Sequence, residues 1–342
     1  MFCLFKPTDG WAWYDWEWNR PFRSVSRQCS KSEPTMSPDR TRVLVAIAFQ
    51  ILIASALQAD EPTTQLWATG ISPASAVTFD RQGTAFVSNY RRNGTIGRIL
   101  PNGTASIWCD LNKIAMGQSD SRPTSIAIDT EGRLVVADAG NGRLLRIDRE
   151  KNVTVLVDRF DGLAFEQIQA VALRPRLGQL AGADIAFSAT TQRTGKELET
   201  SLFAFDLRTA TVRQLPFELK GPVSATFSPD GKTLVVIESS QNQVWKYNWD
   251  QEGEFKLLAK LGGNGNPLDA KPLGICPSNQ LGSVFVAMGH RQEVIELHLE
   301  SGQTLRTIPF FGQHGVACAV FGKSLYVVVQ EKEAVFRLPL SQ

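Results

Sequence analysis

SIAIDTEGRLVVADAGNGRLLRID, residues 125–148, holds three short β-rich runs separated by two hinges. The first run, IAID, alternates, with Ile126 and Ile128 on one face. Thr130-Glu131-Gly132 forms the first hinge, and Gly140-Asn141-Gly142 the second, both of turn-forming composition. Between them RLVVAD is nearly unbroken in apolar residues, which suits a strand buried on both faces. The last run, RLLRID, alternates again, and its polar positions suit a less buried place in the sheet.

The same grammar recurs. VTFDRQGTAFVSN starts at Val77, IAIDTEGRLVVAD at Ile126, and VALRPRLGQL at Val171, which reaches its partner IAFSA after an insertion. ATFSPDGKTLVVIE starts at Ala225, GICPSNQLGSVFVAM at Gly274 and VACAVFGKSLYVVVQ at Val316. The steps are 49, 45, 54, 49 and 42 residues. A period in the forties with several strands per repeat predicts a β-propeller. In residues 228–231 (SPDG), Pro229 presets the turn and Gly231 closes it.

Outer strands follow five of the six repeats: TASIW, VTVLV, TVRQLPF, FKLLAKL and TLRTIPF. The sixth repeat ends on its third strand, AVFRLPL, and residues 64–68 (TQLWA) resemble the missing outer one. The fold class expected is therefore all-β: a six-bladed β-propeller of four-stranded antiparallel blades, its ring closed by an N-terminal outer strand. Residues 60–342 give about 47 per blade and leave nothing for a second domain.

The first 59 residues read differently. Trp11, Trp13, Trp16 and Trp18 stand in a segment without helix or strand period. Met36 opens a short stretch with Arg40 and Arg42, followed by the apolar run VLVAIAFQILIASAL at 43–57 and small residues at Ala54, Ser55, Ala56 and Ala59. Residues 36–59 read as a secretory signal peptide, and residues 1–35 as an over-extended start or a tail. A membrane anchor is the rival, but the run is shorter than the roughly 20 residues a span needs, and Gln50 interrupts it. Export to a periplasmic or extracellular compartment is expected, with no stable membrane span after cleavage.

Of the 36 Lys and Arg, 7 lie in residues 1–59, as do 5 of the 34 Asp and Glu, which leaves 29 of each sign. A balanced chain has no electrostatic footprint for nucleic acid. Cys109, Cys276 and Cys318 remain beyond the leader, an odd number that excludes a disulfide framework; Cys276 and Cys318 fit small buried hydrophobes. Gly262–Pro267 (GGNGNP) lacks a Lys-Ser/Thr ending and reads as a loop. Asn93, Asn102 and Asn152 open N-x-Thr sequons that mark turns at least as readily as glycans.

RPTSIAIDTEGRLVVADAGNGRLLRID and GPVSATFSPDGKTLVVIESSQNQVWKYNWD resemble blades of the SMP-30/gluconolactonase-like six-bladed propellers, with NHL-repeat and strictosidine-synthase-like relatives. The resemblance spans about residues 65–340. It implies a divalent cation, usually calcium, held at the central mouth by a first-blade Glu, a fourth-blade Asn and a fifth-blade Asp. A hard cation needs such oxygens and would polarise a lactone carbonyl. The matching positions carry Ser75, Val223, and Pro272 or Leu273, none of them the implied ligand, and Asp269 needs a shifted loop. No metal and no cofactor is therefore expected. The strictosidine-synthase-like relatives imply a late glutamate base, and residues 311–329 contain no Glu.

Two columns of the repeat are expected at the mouth. One precedes each inner strand: Ser75, Thr124, Gln169, Val223, Pro272 and His314. The other ends each second strand: Asn89, Asp138, Ala189, Glu238, Met288 and Gln330. Asp138, Glu238 and His314 can share acid–base work if they come within hydrogen-bond reach. Alternatively Asp138 caps its turn and Glu238 faces solvent. His314 sits between glycines, His290 follows Gly289 as a second imidazole, and His298 reads as a surface residue. Residues 190–200 either overhang the mouth or form a solvated hairpin.

Three functional readings remain: an exported module binding a small molecule, sugar or protein at its mouth; a lactonase- or esterase-like hydrolase with a rearranged site; and a scaffold subunit.

Overall fold

The computed structural model describes residues 64–340, apart from 72, 90–91, 115–119, 176–183, 193–197, 219–220, 252, 263–269, 311 and 313. The signal-peptide reading, the tryptophan-rich start, Cys3, Cys29 and Asp269 lie outside the described residues.

Six antiparallel sheets follow one another along the chain. Blade 1 comprises Val77–Phe79, Ala85–Ser88, Thr95–Ile99 and Ala105–Asp110, from the inner strand outward. Blade 2 comprises Pro123–Ile128, Leu134–Asp138, Arg143–Ile147 and Val153–Val157. Blade 3 comprises Leu163–Leu173, Ile185–Gln192, Leu198–Asp206 and Thr211–Glu218, and the two-residue Arg159–Phe160 pairs with its inner strand. Blade 4 comprises Pro222–Phe227, Thr233–Glu238, Gln243–Asn248 and Lys256–Lys260. Blade 5 comprises Pro272–Pro277, Ser283–Met288, Glu293–His298 and Thr304–Pro309. Blade 6 takes Gly315–Phe321, Ser324–Val329 and Ala334–Pro339, then Gln65–Thr69 as its outer strand. That closing strand runs antiparallel to its neighbour, with Gln65 opposite Arg337 and Thr69 opposite Ala334. The ring is a closed six-bladed propeller, and closure leaves only outer edges.

The core is divided among the seams. Each of the six apolar clusters joins one blade to the next, for example Phe86, Ile96 and Cys109 against Ile126, Val136 and Leu145 between blades 1 and 2. Second strands are buried on both faces, as in Leu134–Asp138 and Ser324–Val329. This is why their sequences run apolar without alternation.

The third strand of blade 5, Glu293–His298, is more buried than its alternation suggests, because Glu296 is paired inside the sheet. Glu296, 2% exposed, accepts from the hydroxyls of Ser278 and Ser283 and from Arg306 Nε. His298 is partly buried, its Nδ1 3.0 Å from Ser301 Oγ.

The first-hinge aspartates hold the hairpins. Asp80 Oδ1 accepts from the main-chain N–H groups of Gln82 and Thr84, and Asp129 Oδ1 from those of Glu131 and Arg133. A short carboxylate that accepts from its own turn is what makes Asp favourable there.

Blade 3 departs from the pattern. Its inner strand has 11 residues against six in blade 2, so Leu163 to Gln167 project beyond the other blades on the mouth side, roughly 16 Å of chain. The excess pairs with the second strand, Phe165 opposite Thr191 and Gln167 opposite Thr190. Residues 190–192 and 198–200 continue the sheet, with Thr200 opposite Thr190 and Leu198 opposite Gln192.

Candidate functional site

The column preceding the inner strands stitches neighbouring blades together. Ser75 Oγ lies 2.9 Å from Ser88 Oγ and 3.2 Å from the Thr124 carbonyl of blade 2. Thr124 Oγ1 repeats the arrangement one blade on, 2.9 Å from the Gln169 carbonyl of blade 3. Ser125 Oγ adds an acceptor for Val171 N–H at 3.2 Å. In blade 6 the link is main-chain: His314 N–H donates to the Gly289 carbonyl at 2.7 Å.

The second-strand column is equally committed. Asn89 Nδ2 donates to the Pro123 carbonyl at 2.7 Å, and its Oδ1 accepts from Gly94 N–H. Asp138 has no exposed surface. Its Oδ1 accepts from Arg122 N–H at 2.7 Å, and its Oδ2 from Arg143 at 2.9 Å, Asn141 Nδ2 at 3.0 Å and Ser121 Oγ at 3.2 Å. One carboxylate thus caps its own turn, anchors the segment leading into the inner strand and balances a buried guanidinium. Glu238 is 5% exposed rather than facing solvent, and its Oε2 accepts from Trp245 Nε1 at 3.0 Å. Ala189 and Met288 are buried. Gln330 is exposed, with its N–H on the His314 carbonyl at 3.2 Å.

The structure does bring His290 and His314 together. Their rings meet nearly perpendicular, centroids 5.4 Å apart, on the rim between blades 5 and 6. His314 holds φ +61°, a left-handed conformation that non-glycine residues rarely adopt. His290 is exposed and His314 half-buried.

The mouth itself is a cavity of about 410 Å³ bordered by Ser75, Thr124, Arg122, Gln167, Gln169, Ala139, Leu273 and Val316. Gln169 Nε2 donates to Gln167 Oε1 at 3.0 Å. Deeper, Val77, Ile126, Val171, Ala225, Ile275 and Cys318, one from each blade, border both a small interior cavity of about 70 Å³ and a far-end one of about 300 Å³. Neither the mouth nor the interior lining includes a carboxylate. Among the described residues no group of three or more His, Cys, Asp or Glu side chains converges.

Sequence reasoning passed over Arg122 and Gln167. Arg122 stands in the loop before a repeat and has no periodic signature. Gln167 reaches the mouth only because the inner strand of blade 3 is extended. The signal for both was present in weak form: RPTS opens the second blade, and the third blade carries the longest step.

Residues 180–330 match the SMP-30/Gluconolactonase/LRE-like region, from blade 3 into blade 6, and residues 121–147 match the NHL repeat, the first three strands of blade 2. The chain is 25% identical over 169 residues to strictosidine synthase-like 7 of Arabidopsis thaliana, a match covering 45% of each protein, so the likeness spans about half that relative's length. Among solved structures it resembles a gluconolactonase from Xanthomonas campestris (TM-score 0.65, 17% identity, 84% of this chain and 92% of that one). It also resembles a luciferin-regenerating enzyme (TM-score 0.60, 14% identity, 81% and 95%). At such identities the structural likeness speaks for the fold. Both sequence matches fall on blades of one closed ring, so this six-bladed β-propeller is similar over residues 180–330 to the SMP-30/gluconolactonase-like propellers and over residues 121–147 to the NHL-repeat ones.

Proposed function

We propose that the chain is an exported ligand-binding propeller that takes a small molecule at its mouth, and that the cation socket implied by its relatives has been lost. The observation that carries the reading is the state of the two acids. Asp138 is sealed beneath four donors and Glu238 is buried against Trp245. A carboxylate held this way is not poised to take a proton from water or to bind a cation. The mouth lining instead offers a guanidinium, two amides and apolar side chains, the mixture of binding sites in general. A hard cation needs six to eight oxygens, usually with carboxylates among them, and this lining does not fit one. Export rests on the sequence of residues 36–59 alone.

One observation favours a second reading, a lactonase- or esterase-like hydrolase: the adjoining imidazoles of His290 and His314 can supply a general base without a carboxylate.

Two measurements separate the readings. Thermal unfolding with added calcium tests the socket, because an ion bound at a hundred times its Kd stabilises by about 2.7 kcal/mol. No shift is expected, and a saturable rise in Tm overturns the loss of the socket. A screen of gluconolactone and aryl esters tests hydrolysis. Background rates are expected, and turnover abolished by His314→Ala establishes the second reading.

A further inference from the structure

The mouth cavity is chemically two-sided. Blades 2 and 3 contribute Arg122, Gln167 and Gln169, and blades 5 and 6 contribute Leu273 and Val316. The Arg122 side chain is exposed, and its guanidinium makes no hydrogen bond or ion pair with any described residue. Its main chain is nevertheless fixed, N–H on Asp138 Oδ1 at 2.7 Å and carbonyl accepting from Ala139 N–H at 3.0 Å. The carboxylate nearest through that anchor, Asp138, is already balanced by Arg143. The positive charge of Arg122 is therefore uncancelled by the side chains bordering the cavity. Beside it, the Gln167–Gln169 amide contact uses Gln167 Oε1 and leaves the Gln167 Nε2 hydrogens for a ligand.

From this arrangement we propose that the mouth binds a small organic monoanion, a carboxylate on an apolar body. The carboxylate pairs with the Arg122 guanidinium, whose planar fork matches two oxygens, and takes a further hydrogen bond from Gln167. The apolar body lies against Leu273 and Val316. A single guanidinium balances one negative charge, which favours a carboxylate over a phosphate dianion. A cavity of about 410 Å³ lies within the range of small-molecule sites. The inference rests on the reading of the mouth as a binding site and names what that site takes.

Titration of the full chain with phenylacetate and with its neutral isostere phenylacetamide, followed by ligand-observed NMR, tests it. Phenylacetate is expected to bind at least tenfold more tightly than the amide, with the difference shrinking as salt is raised. Arg122→Gln is expected to abolish the difference and Arg122→Lys to keep part of it. The Arg122 side chain is exposed, so thermal unfolding should show both variants folded. Equal binding of acid and amide, or acid binding unchanged in Arg122→Gln, overturns the anion assignment and leaves the binding site standing. No binding of either probe at millimolar concentration overturns both.

Discussion

Thr124 Oγ1 of blade 2 lies 2.9 Å from the Gln169 carbonyl of blade 3, and Ser75 Oγ of blade 1 stands 3.2 Å from the Thr124 carbonyl. These hydroxyls look like mouth ligands in sequence and serve as inter-blade stitches in the fold. Thr124→Val keeps the shape and removes the donor. It should lower stability by about 1 kcal/mol, the net worth of an ordinary hydrogen bond. Denaturant unfolding measures it, and an unchanged midpoint would deny the stitch its role.

Asp138 gives the clearest contrast between a structural and a chemical acid. Asp138→Ala strands Arg143, which is 5% exposed, without its counter-ion. The expected loss is about 3–5 kcal/mol, as for other broken buried pairs. Asp138→Ala combined with Arg143→Met should recover part of that loss, since the stranded charge is gone. A variant that stays fully stable yet loses a ligand-dependent signal would return Asp138 to the chemistry of the mouth.

The inner strands of blades 5 and 6 approach so closely that a Cβ on Gly274 would fall 2.6 Å from Ala317 Cα. Gly274→Ala must push main chain against main chain, and should cost about 1–3 kcal/mol. Gly253→Ala, where a Cβ meets nothing within 4 Å, is the matched control and should be neutral or slightly stabilising. Equal Tm values for the two variants would contradict the close approach.

Burial raises the Cys109 thiol to about 11 and the Cys276 thiol well above its usual value; for Cys276, contact with Cys318 adds to the rise. Both groups hold their protons more tightly folded than unfolded. Their contribution to stability is complete below the ordinary thiol pKa of about 8.5 and is lost as pH rises through the folded values. Tm should therefore fall on the alkaline side of about pH 9. Cys109, Cys276 and Cys318 should resist alkylation at pH 8 until the chain unfolds, as read by peptide mass spectrometry. Rapid native-state labelling of any of the three would contradict their burial.

Acid should act through the surface turns. The Asn152 side chain donates to Asp148 and holds its carboxyl below the usual aspartate range. A depressed folded pKa contributes stability above the unfolded value, and that contribution is lost as pH falls through the folded one. Asp148→Asn should flatten the acid limb of a Tm–pH curve, and an identical limb would remove Asp148 from it.

The amino-acid sequence by itself determined the ring. Turn aspartates, apolar second strands and a spare outer strand at residues 64–68 are local or periodic features, and each blade repeats them because each must bury two faces against its neighbours. Closure by Gln65–Thr69 followed from counting strands at the two ends of the repeat. The roles of the polar columns were a different matter. Whether Asp138 met water or Arg143, whether Thr124 met a ligand or the Gln169 carbonyl, and whether Gln167 reached the mouth depended on the distance between segments about 5 to 45 residues apart in sequence. Only the tertiary structure decided those, because a hydrogen bond is lost within an ångström of misplacement. Burial tolerates such shifts, and the repeat reports only burial.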